Sequence, residues 1–122
     1  MTGSDPLPHL RRAADVEYEP VDLAEGLRKG VLLGDDQGTP NFDMRRFVLE
    51  PGARVPQHTN EVEHEQFVVE GDYVVGIGGE ADTVSAGDAL LIPAGVDRGC
   101  RHGAATAGSV LGVGLTPGHR AR

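Results

Sequence analysis

The sequence predicts an all-β fold, a sandwich or barrel of short strands built as one domain. About eight to ten apolar runs recur at intervals of roughly ten residues, a spacing typical of such folds. Eighteen glycines and eight prolines lie between these runs and not in clusters, so they mark turns. No long stretch has the periodicity of an amphipathic helix. A length of 122 residues suits a single domain with one core.

Residues 1–29 are predicted to form an N-terminal arm or edge strand. Pro6 and Pro8 interrupt regular structure near the start of the chain. The stretch VEYEP, residues 16–20, alternates apolar and acidic residues and can form a short edge strand. The stretch DLAEGLRK, residues 22–29, can form one helical turn, which Gly26 weakens.

The barrel itself is expected over residues 30–116, and residues 117–122 form a tail. The strand that begins near Asn41 is expected to end at Pro51-Gly52, the residue pair of a type II turn. Gly78-Gly79 predicts a hairpin between two further strands. The other predicted strands cover residues 29–35, 65–71, 72–77, 81–85, 89–93 and 107–118.

One predicted strand is apolar on both faces. In EQFVVEG, residues 65–71, Phe67 and Val69 point away from Gln66 and Val68, and both sides are largely apolar. A strand of this kind is covered on both sides. A barrel of this size has little to cover its outside except its own arm or a second subunit, so we expect a homodimer.

Charge and cysteine content narrow the class of protein. The net charge of −8 disfavours a nucleic-acid partner, which selects a basic face, and an anionic membrane surface. The single cysteine, Cys100, forms no internal disulfide, which is typical of a reducing cytoplasm. No apolar run approaches the length of about 20 residues that a membrane helix needs, and no signal peptide is visible. We therefore expect a cytoplasmic protein.

The candidate chemistry lies in two segments. The first runs from Gly52 to Gly71 and holds His58, Asn60 and His64. The second begins at Gly87 and continues through Pro93-Ala94-Gly95, Arg98 and His102. In their spacing, these segments resemble the two motifs of the cupin family, over about residues 30–116. The resemblance implies a small double-stranded β-helix, the cupin jelly-roll barrel.

The resemblance also implies a metal site, but the donors differ from the usual set. The family's usual ligands are two histidines and a glutamate from the first motif and a histidine from the second. Here His58 matches, His64 stands at the glutamate position as in some small cupins, and Asn60 replaces the second histidine. Arg98 replaces the histidine of the second motif, and arginine cannot bind a metal because it keeps its proton.

Strand parity adds one more donor. Arg98, Cys100 and His102 lie two residues apart and share a face. Cys100 is a soft ligand suited to zinc or copper, or else a small core residue. The site is therefore expected either to hold one divalent transition metal (Zn, Ni, Mn or Fe) on His58, His64, Asn60 and Cys100, or to be metal-free.

Each candidate residue has more than one interpretation. His58 and His64 are either metal ligands or proton carriers near neutral pH. Arg98 either binds an anionic substrate, forms a salt bridge with a nearby glutamate, or lies on a solvated rim. The predicted catalytic residues are His58, His64 and Arg98, and the predicted substrate-binding residues are Asn60, Gln66, Arg98 and His102.

These residues predict an enzyme that acts on a small molecule. Because the metal donors are few, the sequence favours non-oxidative proton transfer by an isomerase, cyclase, dehydratase or lyase, metal-assisted or not. The alternatives are a metal-free cupin that binds a small ligand without catalysis, and a metal-dependent dioxygenase.

Overall fold

The computed structural model describes residues 8–101 and 108–115. Nine strands and two three-residue 3₁₀ helices make up its regular structure, which confirms the all-β prediction. The strands are β1 (Tyr18–Pro20), β2 (Glu25–Leu33), β3 (Phe42–His58), β4 (His64–Glu70), β5 (Asp72–Ile77), β6 (Glu80–Ser85), β7 (Ala89–Ile92), β8 (Arg98–Arg101) and β9 (Gly108–Leu115). Within the described ranges, no helix is long and apolar enough to span a membrane.

Strand β3 joins the two halves of the curled sheet, one made of β6, β5 and β8 and the other of β9, β4 and β7. The strand order is β6-β5-β8-β3-β9-β4-β7, and β2 pairs with β3 at a branch that also carries β1. The first part of β3 pairs with β2 and β9, whereas Arg54 to His58 pair with β8. The predicted turn at Pro51-Gly52 does not end the strand. Gly52 adopts a φ of 81°, and the chain continues into the second half of the sheet.

The start of β2 corrects the expectation of a helical turn at residues 22–29. Residues 25–33 form a strand, because Leu27 is buried in the core, where it pairs with Leu49 of β3. Gly26, with a φ of 66°, lies at a register shift between Glu25 and Leu27. A Cβ at Gly26 would lie 3.2 Å from the Cα of Ala53. The glycine that weakens a helix here permits a bulge against β3.

The core fills the space between the two halves of the sheet. Its buried members are Leu27, Leu49, Ala53, Val68, Tyr73, Val75, Val84 and Val110. On β4, Val68 is fully buried while its neighbours Phe67 and Val69 are exposed on the outside. The two faces that the sequence predicts for this strand are therefore an inner core face and an outer apolar face.

Candidate functional site

One interior cavity connects the core with four of the predicted site residues. It has a volume of about 140 Å³, and its wall includes His58, Gln66, Arg98 and Cys100. Apolar side chains from β2, β3, β5, β7 and β9 form most of the remaining wall. The cavity therefore has a predominantly apolar surface with a small group of polar side chains, as ligand pockets commonly do.

The two motif histidines are held in the same way. His58 Nδ1 lies 3.0 Å from the carbonyl oxygen of Pro56, and His64 Nδ1 lies 3.0 Å from that of Val62. A carbonyl oxygen only accepts hydrogen bonds, so Nδ1 of each ring donates its proton. Each neutral imidazole therefore has an unprotonated Nε2.

The Nε2 of one of these rings accepts a hydrogen bond from Arg98. Arg98 is the Cα partner of His58 across β3 and β8, and its Nε donates to His58 Nε2 at 3.4 Å. The Arg98 side chain is buried, with a relative exposure of 9%. Burial, followed by the charge of Arg45, lowers the pKa of Arg98, yet a guanidinium stays protonated in a protein.

No carboxylate balances this buried charge in the described part of the chain. The ion pairs found there within 4 Å join Arg28 to Glu50 and Arg45 to Asp43, and neither involves Arg98. The interpretation of Arg98 as a salt-bridge partner of a nearby glutamate is therefore wrong for these residues, and so is that of a solvated rim residue. An uncompensated buried charge is costly, so this position favours an anionic ligand.

His64 lies at the same end of the barrel with its Nε2 unbonded among the described side chains. Burial lowers the pKa of His64 most, and the charge of Arg98 lowers it further. The ring lies over Gly114 of β9, whose Cβ, if present, would lie 2.7 Å from His64 Nε2. His64 is not part of the wall of the 140 Å³ cavity. At neutral pH it is a neutral imidazole able to accept a proton.

Gln66, Tyr73 and Cys100 also line the cavity. The hydroxyl of Tyr73 donates to Gln66 Oε1 at 3.4 Å, which leaves the N–H groups of that amide as donors. Burial raises the pKa of Tyr73. Burial also raises the pKa of the Cys100 thiol to about 11, so Cys100 remains a protonated thiol at neutral pH.

Two predicted residues lie away from this group or outside the described ranges. Asn60 is not on the cavity wall. Its backbone carbonyl accepts the N–H of Gly95 at 2.8 Å, and this bond ties the first motif segment to the second. His102, predicted to bind substrate, falls outside the described residues.

Sequence reasoning missed Asp43 and Arg45. Asp43 is buried, accepts a hydrogen bond from Thr39 Oγ1 at 3.1 Å and pairs with Arg45 at 3.2 Å. The charge of Arg45 lowers the pKa values of both His64 and Arg98. The available signal was strand parity, because Asp43 and Arg45 alternate with Met44 and share a face with Phe47 of the cavity wall.

The donor set does not fit a transition metal. No group of three His, Cys, Asp or Glu side chains within residues 8–101 and 108–115 could hold a metal ion. The Nε2 of His58 accepts a hydrogen bond from Arg98. Metal ligation by an imidazole requires a free lone pair on its nitrogen. A guanidinium therefore lies where a metal would need to approach His58.

The two motif segments, the curled β-sheet and the interior cavity define this chain as a cupin. Residues 45–113 match the family described as the cupin domain, and the chain belongs to that family. Among curated proteins, none matches the sequence.

Solved structures share the same fold. The polyketide cyclase RemF from Streptomyces resistomycificus is 26% identical, with 89% of this chain and 80% of that chain covered and a TM-score of 0.82. KdgF from Halomonas sp. is 19% identical, with coverage of 93% and 96% and a TM-score of 0.78. A predicted oxalate decarboxylase from Thermotoga maritima is 21% identical, with coverage of 88% and 99% and a TM-score of 0.77.

Proposed function

We propose that this cupin is an enzyme that moves a proton on a small anionic molecule without redox chemistry, as an isomerase, cyclase, dehydratase or lyase does. In this proposal Arg98 binds the oxyanion of the substrate and His64 is the base. The observation that carries it is the buried guanidinium of Arg98, which lies against His58 and has no carboxylate within 4 Å among the described residues. The likeness to the polyketide cyclase RemF is compatible with such chemistry.

The chemistry follows from the free polar atoms at this end of the barrel. Proton abstraction next to a carbonyl creates negative charge on oxygen, and a preorganised donor that meets this charge lowers the barrier. The terminal N–H groups of Arg98 and the amide N–H groups of Gln66 are the available donors. The His64 Nε2 is the available acceptor, and its lowered pKa keeps it in the basic form at neutral pH. His58 orients Arg98 through the 3.4 Å contact.

The experiment is solvent exchange into simple enolisable acids. Acetoacetate, pyruvate and 2-oxobutanoate are incubated with the protein in D₂O, and loss of the C–H signal beside the carbonyl is followed by ¹H NMR. We expect exchange above the buffer rate, reduced about 10²–10⁴-fold in His64→Asn and Arg98→Gln. Arg101→Gln is the matched control, because Arg101 lies on the same strand with its side chain exposed. Equal loss in Arg98→Gln and Arg101→Gln contradicts the proposal.

The alternative is a binding protein without catalysis. The same buried cation and apolar wall suit a ligand that is bound and released unchanged. If carboxylates bind and this binding depends on Arg98, but no acid exchanges its C–H protons with solvent, the protein is a binding protein without catalysis. The dioxygenase interpretation is not proposed, because the described donors do not fit the metal it requires.

We also propose that the protein is a homodimer joined through the outer face of β4 and β7. Phe67 and Leu91 are exposed there and border a surface groove with Leu111 and Val113. An apolar sheet face of this kind is commonly buried in an interface. Sedimentation equilibrium should show a dimer that dissociates in Phe67→Asp and persists in Thr83→Asp, a change on the exposed face of β6. A wild-type monomer contradicts it. A cytoplasmic location stays a prediction.

A further inference from the structure

The cavity that contains Arg98 opens to solvent at Leu23. This leucine lies in the turn between β1 and β2 and forms part of the cavity wall. Its side chain nevertheless has a relative exposure of 54%. A side chain that faces the cavity and is also half in solvent lies at an opening. The cavity therefore has an apolar exit in addition to its polar group around Arg98.

The turn that carries Leu23 is held in place by its backbone. The Val21 N–H donates to the carbonyl of Leu27 at 3.0 Å, and the Ala24 N–H donates to the carbonyl of Val21 at 3.0 Å. Val21 and Ala24 also pack against the buried core. The opening is therefore a fixed feature of the wall, and Leu23 forms its edge.

The polar and apolar parts of this cavity match a molecule with one anionic end. Arg98 and Gln66 provide donors, and Leu27, Phe47 and Val55 provide an apolar wall. An engineered apolar cavity of about 150 Å³ holds benzene, which has six carbons. The volume here, about 140 Å³, should accommodate an apolar group of similar size.

We infer that the cavity takes an amphiphilic carboxylate, with its head on Arg98 and an unbranched apolar tail directed to the opening at Leu23. Leu23 then forms the edge past which a long tail leaves the cavity. This inference rests on the anion-binding role proposed for Arg98 and extends it to a substrate class. A tail longer than the cavity passes Leu23 into solvent, where additional methylenes add little affinity.

The test is isothermal titration of the full chain with straight-chain carboxylates from butanoate to decanoate. Each buried methylene should strengthen binding about fourfold until the cavity is filled, after which affinity should level off. Leu23→Trp covers the opening, so it should weaken decanoate binding about tenfold or more and leave butanoate unchanged. Leu23→Ala should bind decanoate as the wild type does.

The control is Leu10→Trp, because Leu10 is an exposed leucine that lines neither the cavity nor the groove beside β7, with a relative exposure of 68%. It should leave the whole series unchanged. Equal decanoate binding by Leu23→Trp and the wild type overturns the inference, as does a wild-type affinity that falls once the tail exceeds the cavity. Unchanged butanoate binding in Leu23→Trp shows that this variant is folded.

Failure of the proposed anion site has a different signature. If butanoate binds Arg98→Gln as tightly as it binds the wild type, or if butanamide binds the wild type as tightly as butanoate does, then Arg98 does not anchor the ligand. This conclusion holds whatever the effect of Leu23→Trp. If Leu23→Trp changes how affinity depends on tail length but Arg98→Gln has no effect, then the opening at Leu23 is supported and the carboxylate as ligand class is overturned.

Discussion

The end of β3 and the start of β4 each hold a histidine with the same backbone hydrogen bond, yet the two rings meet different partners. His58 faces Arg98 of β8 as its Cα partner, whereas His64 faces Gly114 of β9. The guanidinium of Arg98 donates a hydrogen bond to the Nε2 of His58. The glycine leaves room for the ring of His64. The residue opposite each histidine thus decides which one anchors a charge and which one can accept a proton.

The largest expected effect separates the two histidines. His64→Asn removes the proposed base and should lower the rate of solvent exchange into enolisable acids about 10²–10⁴-fold. His58→Asn removes only the partner of Arg98 and should lower it less. Exchange rates for both variants under the same conditions measure the difference. A larger loss in His58→Asn would reverse the assigned roles.

The next effect comes from the glycine opposite His64. A methyl group at position 114 would lie 2.6 Å from the Cδ2 of His64, so Gly114→Ala must displace the ring. Misplacement of a catalytic group by about 1 Å can cost about 10²-fold in rate. Gly112→Ala is the control, because its Cβ meets the ring of Phe47 at 3.2 Å and not His64. Equal rates in the two variants contradict a positioning role for Gly114.

A third change replaces Arg98, the charged residue beside His58, with a residue that can bind a metal. Arg98→His offers a third imidazole near His58 and His64, and three histidines form a known catalytic zinc site. Titration of chelator-treated protein with Zn²⁺ should show tighter binding in Arg98→His than in wild type. Arg98→Gln removes the charge without adding a ligand and should not show this gain. Wild-type affinity in Arg98→His means that residue 98 does not approach the two rings.

The smallest effect is a pH dependence that comes from His64. Its pKa lies below the usual 6.5, mainly because of burial. At pH values between the folded and the unfolded pKa of His64, the unfolded chain binds more protons than the folded chain. The contribution of neutral His64 to the free energy of unfolding is therefore fully present above about pH 6.5 and is lost as the pH falls below that value. Urea unfolding from pH 7.5 to 5 should show this fall, with a shallower slope in His64→Asn. The same slope in both proteins contradicts the assignment.

The scaffold was predictable because its signals are local. Gly52 and Gly87 begin the two motif segments, and both adopt positive φ values, of 81° and 95°. Strand parity placed Arg98 and Cys100 on one face, and both line the cavity. The helical turn expected at residues 22–29 was wrong because the burial of Leu27 against β3 depends on tertiary packing.

The contacts that define the site could not be predicted from spacing. Arg98 and His58 are 40 residues apart, and their pairing depends on the register between β3 and β8. The cupin motifs predicted that His58 and Arg98 lie in one site, but the register shift between Val55 and His58 that sets their pairing depends on tertiary packing. The inward direction of Arg45 was accessible through parity, but its effect on His64 required the packed barrel.

The most direct measurement is an NMR titration of the His64 ring, assigned with His64→Asn, in the absence and presence of butanoate. Because Arg98 lowers the pKa of His64, a carboxylate bound to Arg98 should raise it towards 6.5. In Arg98→Gln the pKa should be higher than in the wild type and should not respond to butanoate. A wild-type His64 pKa that butanoate leaves unchanged, or the same response in Arg98→Gln, would contradict the claim that Arg98 is the anion site beside His64.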